Sequence, residues 1–468
     1  MRPEEALLKN FPFEPTADQA RLFKKLDIFI SSRTTTKEVF LLKGFAGTGK
    51  TTVLTSLVKI LNSFGYKYVL LAPTGRAAKV MSSYSKKPAS TIHKKIYRQK
   101  NNPYSEGLAF TRQPNKLNNA VFIVDEASMI SDEKAFGDNG LLQDLISYVF
   151  EGQNNKLLLI GDTAQLPPVS QTLSPSLDAD YLKSNFRCEV YEIELRQVMR
   201  QAQQSGILMN ATSLREQLRQ PEPQLKMRTR PYKDLYRMTG EKLEDGLRYA
   251  YDKFGVENTT VICRSNKNAN QYNQHIRRQI FFSEDEIGVS DYLMIVRNNY
   301  FWLDKNSEIG FMANGDFVEV TKIIRYEDMY GFRFADVRIR FVDYPNEEEL
   351  EVKIMLDTLY TEAPALPADK NKQLYQEVLK DYSDLGTKRE RSQQLKKNPY
   401  LNALQVKFAY ALTCHKAQGG QWDAVFVDHG YLKEEITGID FARWLYTAVT
   451  RAATELYLVN FNQQLFGD

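Results

Sequence analysis

Short apolar runs recur along the first part of the chain, at Val39–Lys43, Tyr68–Ala72, Val121–Asp125 and Leu157–Asp162. Each is rich in Val, Leu, Ile or Phe, the pattern of a parallel strand buried on both faces. Helix-compatible segments separate them, which predicts a doubly wound α/β domain. After Arg187 the alternation resumes, with runs at Thr260–Cys263, Ala424–Asp428 and Leu456–Asn460, and predicts a second domain of the same class.

Two stretches break this rhythm. From Tyr84 to Asn119 the chain is rich in Lys, Asn, Pro and Tyr and too long for an ordinary connection, so a protruding hairpin or wedge is predicted. Asn101-Asn-Pro103 and Glu106-Gly107 offer turn chemistry, and Tyr97, Tyr104 and Phe110 offer stacking rings. From 288 to 404 apolar positions alternate with period two: Phe332/Phe334, then Val337/Ile339/Phe341, then Leu350/Val352/Ile354/Leu356. That is the signature of half-buried antiparallel strands and predicts a small β-barrel, with a bulge at the parity change at Ala335–Asp336. Leu374, Val378, Leu379 and Tyr382 then keep helical spacing ahead of a basic run, Lys388 to Lys397, read as a solvated face. The expected boundaries are 1–83 with 120–186, an insertion at 84–119, then 187–287 with 405–468, and an insertion at 288–404.

At 468 residues the chain exceeds one hydrophobic core, in keeping with this division. A net charge of +4 permits a nucleic-acid track without requiring one. Three cysteines (Cys188, Cys263, Cys414) lie far apart, which argues against a disulfide framework or a cysteine zinc site and suits a reducing compartment. The start, MRPEEALLKNFPFEP, has no apolar signal core, and no apolar run reaches spanning length. A soluble cytoplasmic protein without a membrane partner is expected.

The sharpest chemistry follows the first strand. Gly44-Phe45-Ala46-Gly47-Thr48-Gly49-Lys50-Thr51 fits G-x-x-x-x-G-K-[ST], with Thr52 opening the helix beyond. Its glycines let backbone N–H groups curl around phosphates, Lys50 supplies charge to the β- and γ-phosphates, and the Thr51 hydroxyl can ligate Mg²⁺. The run Val121–Val124 ends in Asp125 and Glu126. Asp125 is assigned to magnesium and Glu126 to activating the attacking water. These motifs specify an NTPase but not its job.

The remaining motifs narrow it. Phe13-Glu-Pro-Thr-Ala-Asp-Gln19 resembles the helicase Q-motif, Leu71-Ala-Pro73-Thr74-Gly-Arg-Ala-Ala-Lys79 motif Ia, and Ser90-Thr91-Ile-His93 motif Ib. Asp125-Glu-Ala-Ser128 resembles motif II, Gly161-Asp-Thr-Ala-Gln165-Leu-Pro-Pro-Val169 motif III, and Leu195-Arg-Gln-Val-Met-Arg200-Gln motif IV. Thr413-Cys-His415-Lys-Ala-Gln-Gly419 and Leu445-Tyr-Thr-Ala-Val-Thr-Arg451-Ala resemble motifs V and VI. In order and spacing the set resembles the superfamily 1B DNA helicases of the RecD/Dda group, from about residue 13 to 460.

The resemblance implies two RecA-like P-loop domains, with an inserted hairpin or wedge and an inserted SH3-like β-barrel. It implies ATP between the domains, single-stranded DNA across their tops, 5′-to-3′ movement and duplex forks as substrate, with the protein working as a monomer or beside replication and repair proteins. Residue by residue, it gives Gln19 the adenine, Gln165 the γ-phosphate, and Arg200 and Arg451 the phosphoryl charge from the second domain. Pro73, Thr74, Thr91, His93, Thr413 and His415 are implied DNA contacts. Asn266, Lys267 and Asn270 resemble a further strand-contacting segment, which a capped helix start explains almost as well. Gly419 and Gln421 fall where the family contacts the sugar; the family commonly carries an acidic residue at the Gln421 position, which the glutamine replaces neutrally. Two rivals stand beside this reading. One is an RNA helicase, since RNA presents the same phosphates. The other is a nuclease or a subunit of a recombination complex. For the nuclease, Glu351-Val-Lys353 supplies only an E-x-K pattern that an alternating strand explains.

Overall fold

A computed structural model describes the chain except residues 101–108, 134–138, 169–170, 172, 200–203, 304–306, 308–310, 345, 386, 431–437 and 468. The first eight strands are β1 (Lys37–Gly44), β2 (Lys67–Ala72), β3 (Ala89–Thr91), β4 (Tyr97–Lys100), β5 (Ala109–Arg112), β6 (Ala120–Val124), β7 (Lys156–Gly161) and β8 (Cys188–Leu195). Six of them form one parallel sheet in the order β3-β2-β6-β7-β1-β8. Side chains alternate strictly across it. Phe40, Leu42, Val121, Ile123, Leu158 and Ile160 pack on the helices Pro3–Asn10, Ala17–Ser31 and Lys50–Leu61. Val39, Leu41, Phe122, Val124, Leu157 and Leu159 face the helix Leu141–Val149 on the other side. A sheet covered on both faces needs apolar residues at every position, which is why these strands read as unbroken runs.

β8 corrects the expected boundary at 186: it pairs along its whole length with β1, so the first sheet continues to Leu195. Its sequence, Cys-Glu-Val-Tyr-Glu-Ile-Glu-Leu, carries three glutamates because an edge strand is partly solvated.

β4 and β5 form the hairpin expected after Tyr84, in antiparallel register from Tyr97↔Arg112 to Lys100↔Ala109. The Tyr97 hydroxyl donates to Asp144 Oδ2 at 2.8 Å, and Arg112 pairs with Glu151 at 2.5 Å, tying the arms to the first domain. The tip, with Asn101–Pro103, Tyr104 and Glu106–Gly107, lies outside the described residues, as does the Phe110 side chain.

The later strands are β9 (Leu235–Met238), β10 (Thr259–Cys263), β11 (Tyr292–Ile295), β12 (Phe317–Met329), β13 (Phe332–Phe341), β14 (Leu350–Met355), β15 (Leu404–Phe408), β16 (Ala411–Thr413), β17 (Trp422–Asp428) and β18 (Ala452–Val459). A second parallel sheet runs β16-β10-β17-β18-β9, and β11 to β15 close a barrel. β15 belongs to the barrel, so the return to the second sheet comes at β16 rather than at 405. The irregularity expected at Ala335–Asp336 sits on the partner strand. Register shifts fall between Val320 and Lys322 and between Ile323 and Arg325, leaving Thr321 and Ile324 as extra residues of β12. Lys353 pairs with Glu327 and Asp336 at 2.7 Å each, in keeping with a strand-face role. The helix Ala368–Lys380 carries Leu374 and Val378 onto Phe332, Phe334 and Met355 of the barrel wall. Among the described residues no helix is long and apolar enough to cross a membrane.

Candidate functional site

The chemistry gathers at the carboxyl ends of the parallel strands, where both halves present their loops. β1 ends at Gly44, and the chain turns through Gly47 and Gly49 at φ +74° and +85°, left-handed values that glycine adopts freely. A Cβ on Gly49 would stand 2.6 Å from Gln19 Nε2, so this turn also needs the missing side chain. Lys50 opens the helix Lys50–Leu61, with Thr51 and Thr52 in its first turn. Its Nζ donates to the Gly44 and Phe45 carbonyls at 2.6 and 2.9 Å, lying within the loop it would share with phosphate.

Gln19 is fully buried beneath this loop. Its Nε2 donates to the Thr48 carbonyl at 3.1 Å, and its Oε1 accepts from Thr16 N–H at 3.0 Å in a capping box. The amide implied to read adenine thus braces the P-loop from below.

Asp125 and Glu126 follow β6. Asp125 is pinned at both oxygens: Oδ1 accepts from the Glu126 N–H at 2.9 Å, and Oδ2 accepts from the Tyr84 hydroxyl at 2.5 Å. Burial, with Asp125 close by, pushes the Tyr84 phenol far above its usual range, so it remains a donor. Glu126 holds φ +53°, a strained value for a side-chain-bearing residue, and it sits where function was assigned. Burial pushes its carboxyl upward against the pull of Arg451 and Lys50, with Asp125 and Asp162 adding repulsion. Loop lysine, paired carboxylates and second-domain arginine therefore share one electrostatic neighbourhood. Gln165 is buried there too, and among the described residues its Oε1 has no hydrogen-bond partner.

This donor set fits a nucleotide with Mg²⁺. Such a metal needs only one or two carboxylates, with phosphate and water completing its shell. Thr51 and Asp125 meet that need without a larger acidic cluster, and among the described residues no group of three or more metal-ligating side chains occurs.

The two halves lock across the site. Tyr446, in the helix Ile439–Val449, donates to Asp162 Oδ2 at 2.6 Å and accepts from the Ala46 N–H of the P-loop at 3.0 Å. Thr447 Oγ1 accepts from Leu166 N–H at 2.9 Å, and Gln418 Nε2 donates to the Leu166 carbonyl at 2.7 Å. Arg451 is buried, its guanidinium donating to the carbonyls of Thr447 and Gly420 and to Thr450 Oγ1. Arg200 lies outside the described residues. Gly419 takes φ +73° and packs on Ala77 and Thr74 of the first half, while the Gln421 carbonyl accepts from Arg76 at 3.2 Å. Arg76 was not singled out from sequence. It is buried between the rings of Trp422 and Phe317, 4.5 and 5.0 Å away, joining both halves and the barrel.

The expected strand contacts line the same edge. Pro73 and Thr74 follow β2, and Thr91 ends β3, paired with Ala72. Thr74 and Thr91 each cap a helix, accepting from Ala77 and Lys94 N–H at 3.2 Å. On the second half Thr413 pairs with Cys263, two residues before the Ser265 cap, and Asn266 and Lys267 begin the helix Asn266–His275. A cleft of about 180 Å³ brings Thr74 and Arg76 together with Asn314, His415, Lys416 and Trp422. Burial lowers His93 to about 4, and partial burial of the ring lowers His415 below its usual range, which favours the neutral imidazole at both. Asn270 donates to the carbonyls of Tyr360 and Thr361 and shares a cleft with Asn266, Thr413 and Lys416. Lys267 approaches Glu362 at 4.0 Å. In the turn Asn314-Gly315-Asp316, Gly315 has φ +96°, whereas Asp316 is buried and pushed up to about 7 by desolvation.

Tyr84 and Tyr446, like Arg76, are contributors that sequence reasoning passed over. Tyr446 lay inside a quoted motif. Nothing in the local pattern marks Tyr84, whose partner is 41 positions away.

Comparison with known proteins gives two family matches: an AAA domain over residues 18–228 and a UvrD-like helicase C-terminal domain over residues 408–459. An uncharacterized protein, R530, of Acanthamoeba polyphaga mimivirus is 24% identical over 502 aligned residues, covering 92% of this chain and 97% of the relative. The ATP-dependent RecD2 DNA helicase of Deinococcus radiodurans is 33% identical over 176 residues, and the ATP-dependent DNA helicase dda of Enterobacteria phage T4 is 32% identical over 160. Those alignments cover 37% and 33% of this chain but span only 21% and 34% of the two relatives. Among solved structures, a Pif1 helicase from Bacteroides in complex with ADP-AlF3 and ssDNA aligns at TM-score 0.47 and 15% identity, over 95% of this chain and 94% of that one.

Proposed function

We propose that the chain is a superfamily 1B helicase of the RecD/Dda group, an ATP-dependent DNA helicase moving 5′ to 3′ on single-stranded DNA. One observation carries the reading: Tyr446 of the other half accepts from the Ala46 N–H of the P-loop and donates to Asp162, so both halves build the site in which the charges of Lys50, Asp125 and Arg451 act on Glu126. A site built from both halves can hydrolyse nucleotide only when they meet, which couples chemistry to their motion.

In this reading the first RecA-like domain holds the P-loop, the hairpin is the wedge, the second RecA-like domain supplies Arg451, and the barrel is the SH3-like insertion. Loop N–H groups and Lys50 bind the phosphates, Thr51 and Asp125 hold the metal, and Gln165 senses the γ-phosphate. Mg²⁺, when bound, neutralises charge on the phosphate oxygens. Glu126, raised by burial, accepts a proton from water, and Arg451 stabilises the charge that grows on the phosphoryl group. Thr74, Thr91, His93, Thr413, His415 and Asn266 hold the strand through its backbone, so binding is expected to be sequence-tolerant and to weaken with salt. The proposed partner is DNA, single-stranded and at duplex forks; the relatives RecD2 and dda are named as ATP-dependent DNA helicases.

The test is steady-state ATP hydrolysis without nucleic acid, with poly-dT and with poly-U. Poly-dT should stimulate turnover strongly and poly-U weakly. Equal or greater stimulation by poly-U would replace the DNA reading with an RNA one, and no stimulation by either would remove the translocase reading.

A further inference from the structure

Both oxygens of the Asp125 carboxylate are fixed by donors of the protein. One donor is unavoidable, the N–H of the next residue. The other is the Tyr84 hydroxyl, delivered by the penultimate residue of the helix Gly75–Ser85. That helix packs beside the P-loop helix Lys50–Leu61, and its Met81 lies in the same apolar core as Phe40, Val53 and Leu54. Tyr84 rests partly buried against this core, so ring and hydroxyl are held as one piece.

We infer that Tyr84 is a positioning residue for the metal, fixing the plane of the Asp125 carboxylate so that its remaining lone pairs face the P-loop. The inference rests on the ATPase reading of the same site. A carboxylate has about four lone-pair directions. Donors on opposite oxygens stop rotation about the terminal bond and leave the other directions for magnesium and its water. Without the hydroxyl, the carboxylate is held on one side only. A partner of this kind, touching the ligand rather than the metal, typically governs metal affinity by about 10- to 100-fold. Tyr84 touches no nucleotide-binding group described above, so nucleotide affinity without metal should not depend on its oxygen.

The experiment uses the full chain and Tyr84→Phe, which removes one oxygen and keeps the buried ring. Binding of a fluorescent ADP is titrated in EDTA and then across a range of Mg²⁺, with thermal unfolding measured alongside. The expected result is equal affinity in EDTA, an unchanged unfolding midpoint, and a Mg²⁺ midpoint raised about tenfold. A variant that follows the wild-type Mg²⁺ curve would overturn the inference and leave the ATPase reading standing. So would a variant that loses affinity equally in EDTA, because Tyr84 would then shape the pocket as a whole. A wild-type chain that binds no ADP in either condition would take down both.

Discussion

Arg451→Ala is expected to lower ATP turnover by about 10³-fold or more, with ADP affinity changing far less. The guanidinium is buried and oriented by the Thr447 and Gly420 carbonyls and the Thr450 hydroxyl, and its charge reaches Glu126 on the other half. Because it arrives from the second half, it contributes most when the halves close, as charge develops on the phosphoryl oxygens. Arg451→Lys should recover little, since an ammonium cannot reproduce three fixed donors. The substitution also strips donors from buried acceptors, so unfolding midpoints must accompany the kinetics. Turnover within tenfold of wild type, in a folded variant, would move the transition-state cation elsewhere.

Glu126→Gln should lower turnover by about 10²–10⁴-fold while ATP remains bound. The amide keeps the size and shape of the carboxyl but cannot accept the proton from water. Its neutrality also removes a buried charge from beside Asp125 and Asp162, so nucleotide binding should hold or tighten. Lys50→Ala should show the opposite pattern, losing binding and turnover together, because Lys50 belongs to the phosphate loop. Filter-trapped ATP and single-turnover hydrolysis separate the two. A Glu126→Gln protein that turns over normally would mean that another group activates the water.

Much of the frame was legible because buried parallel strands leave no room for polar side chains. β1, β2, β6, β7, β10, β17 and β18 stand out for that reason. β8 and β9 did not, since both are edge strands with charged or polar positions facing water. The barrel was legible from its alternation, but its bulges were placed on the wrong strand. A parity change in β13 records a mismatch between two strands without saying which one carries the extra residue. At the site, motif residues fell where one edge of each sheet gathers them. The supports could not be read, because Gln19 beneath the P-loop, Tyr84 on Asp125, Tyr446 on Asp162 and Arg76 between two rings are contacts between distant parts of the chain.

The central claim is that ATP hydrolysis drives the protein along DNA in one direction. Strand displacement with ATP and Mg²⁺, on otherwise identical duplexes carrying a 5′ or a 3′ single-stranded tail, tests it most directly. The account predicts that the 5′-tailed duplex is unwound, that the 3′-tailed duplex is not, and that Glu126→Gln unwinds neither. Unwinding of the 3′-tailed duplex alone, or of either duplex without ATP, would contradict it.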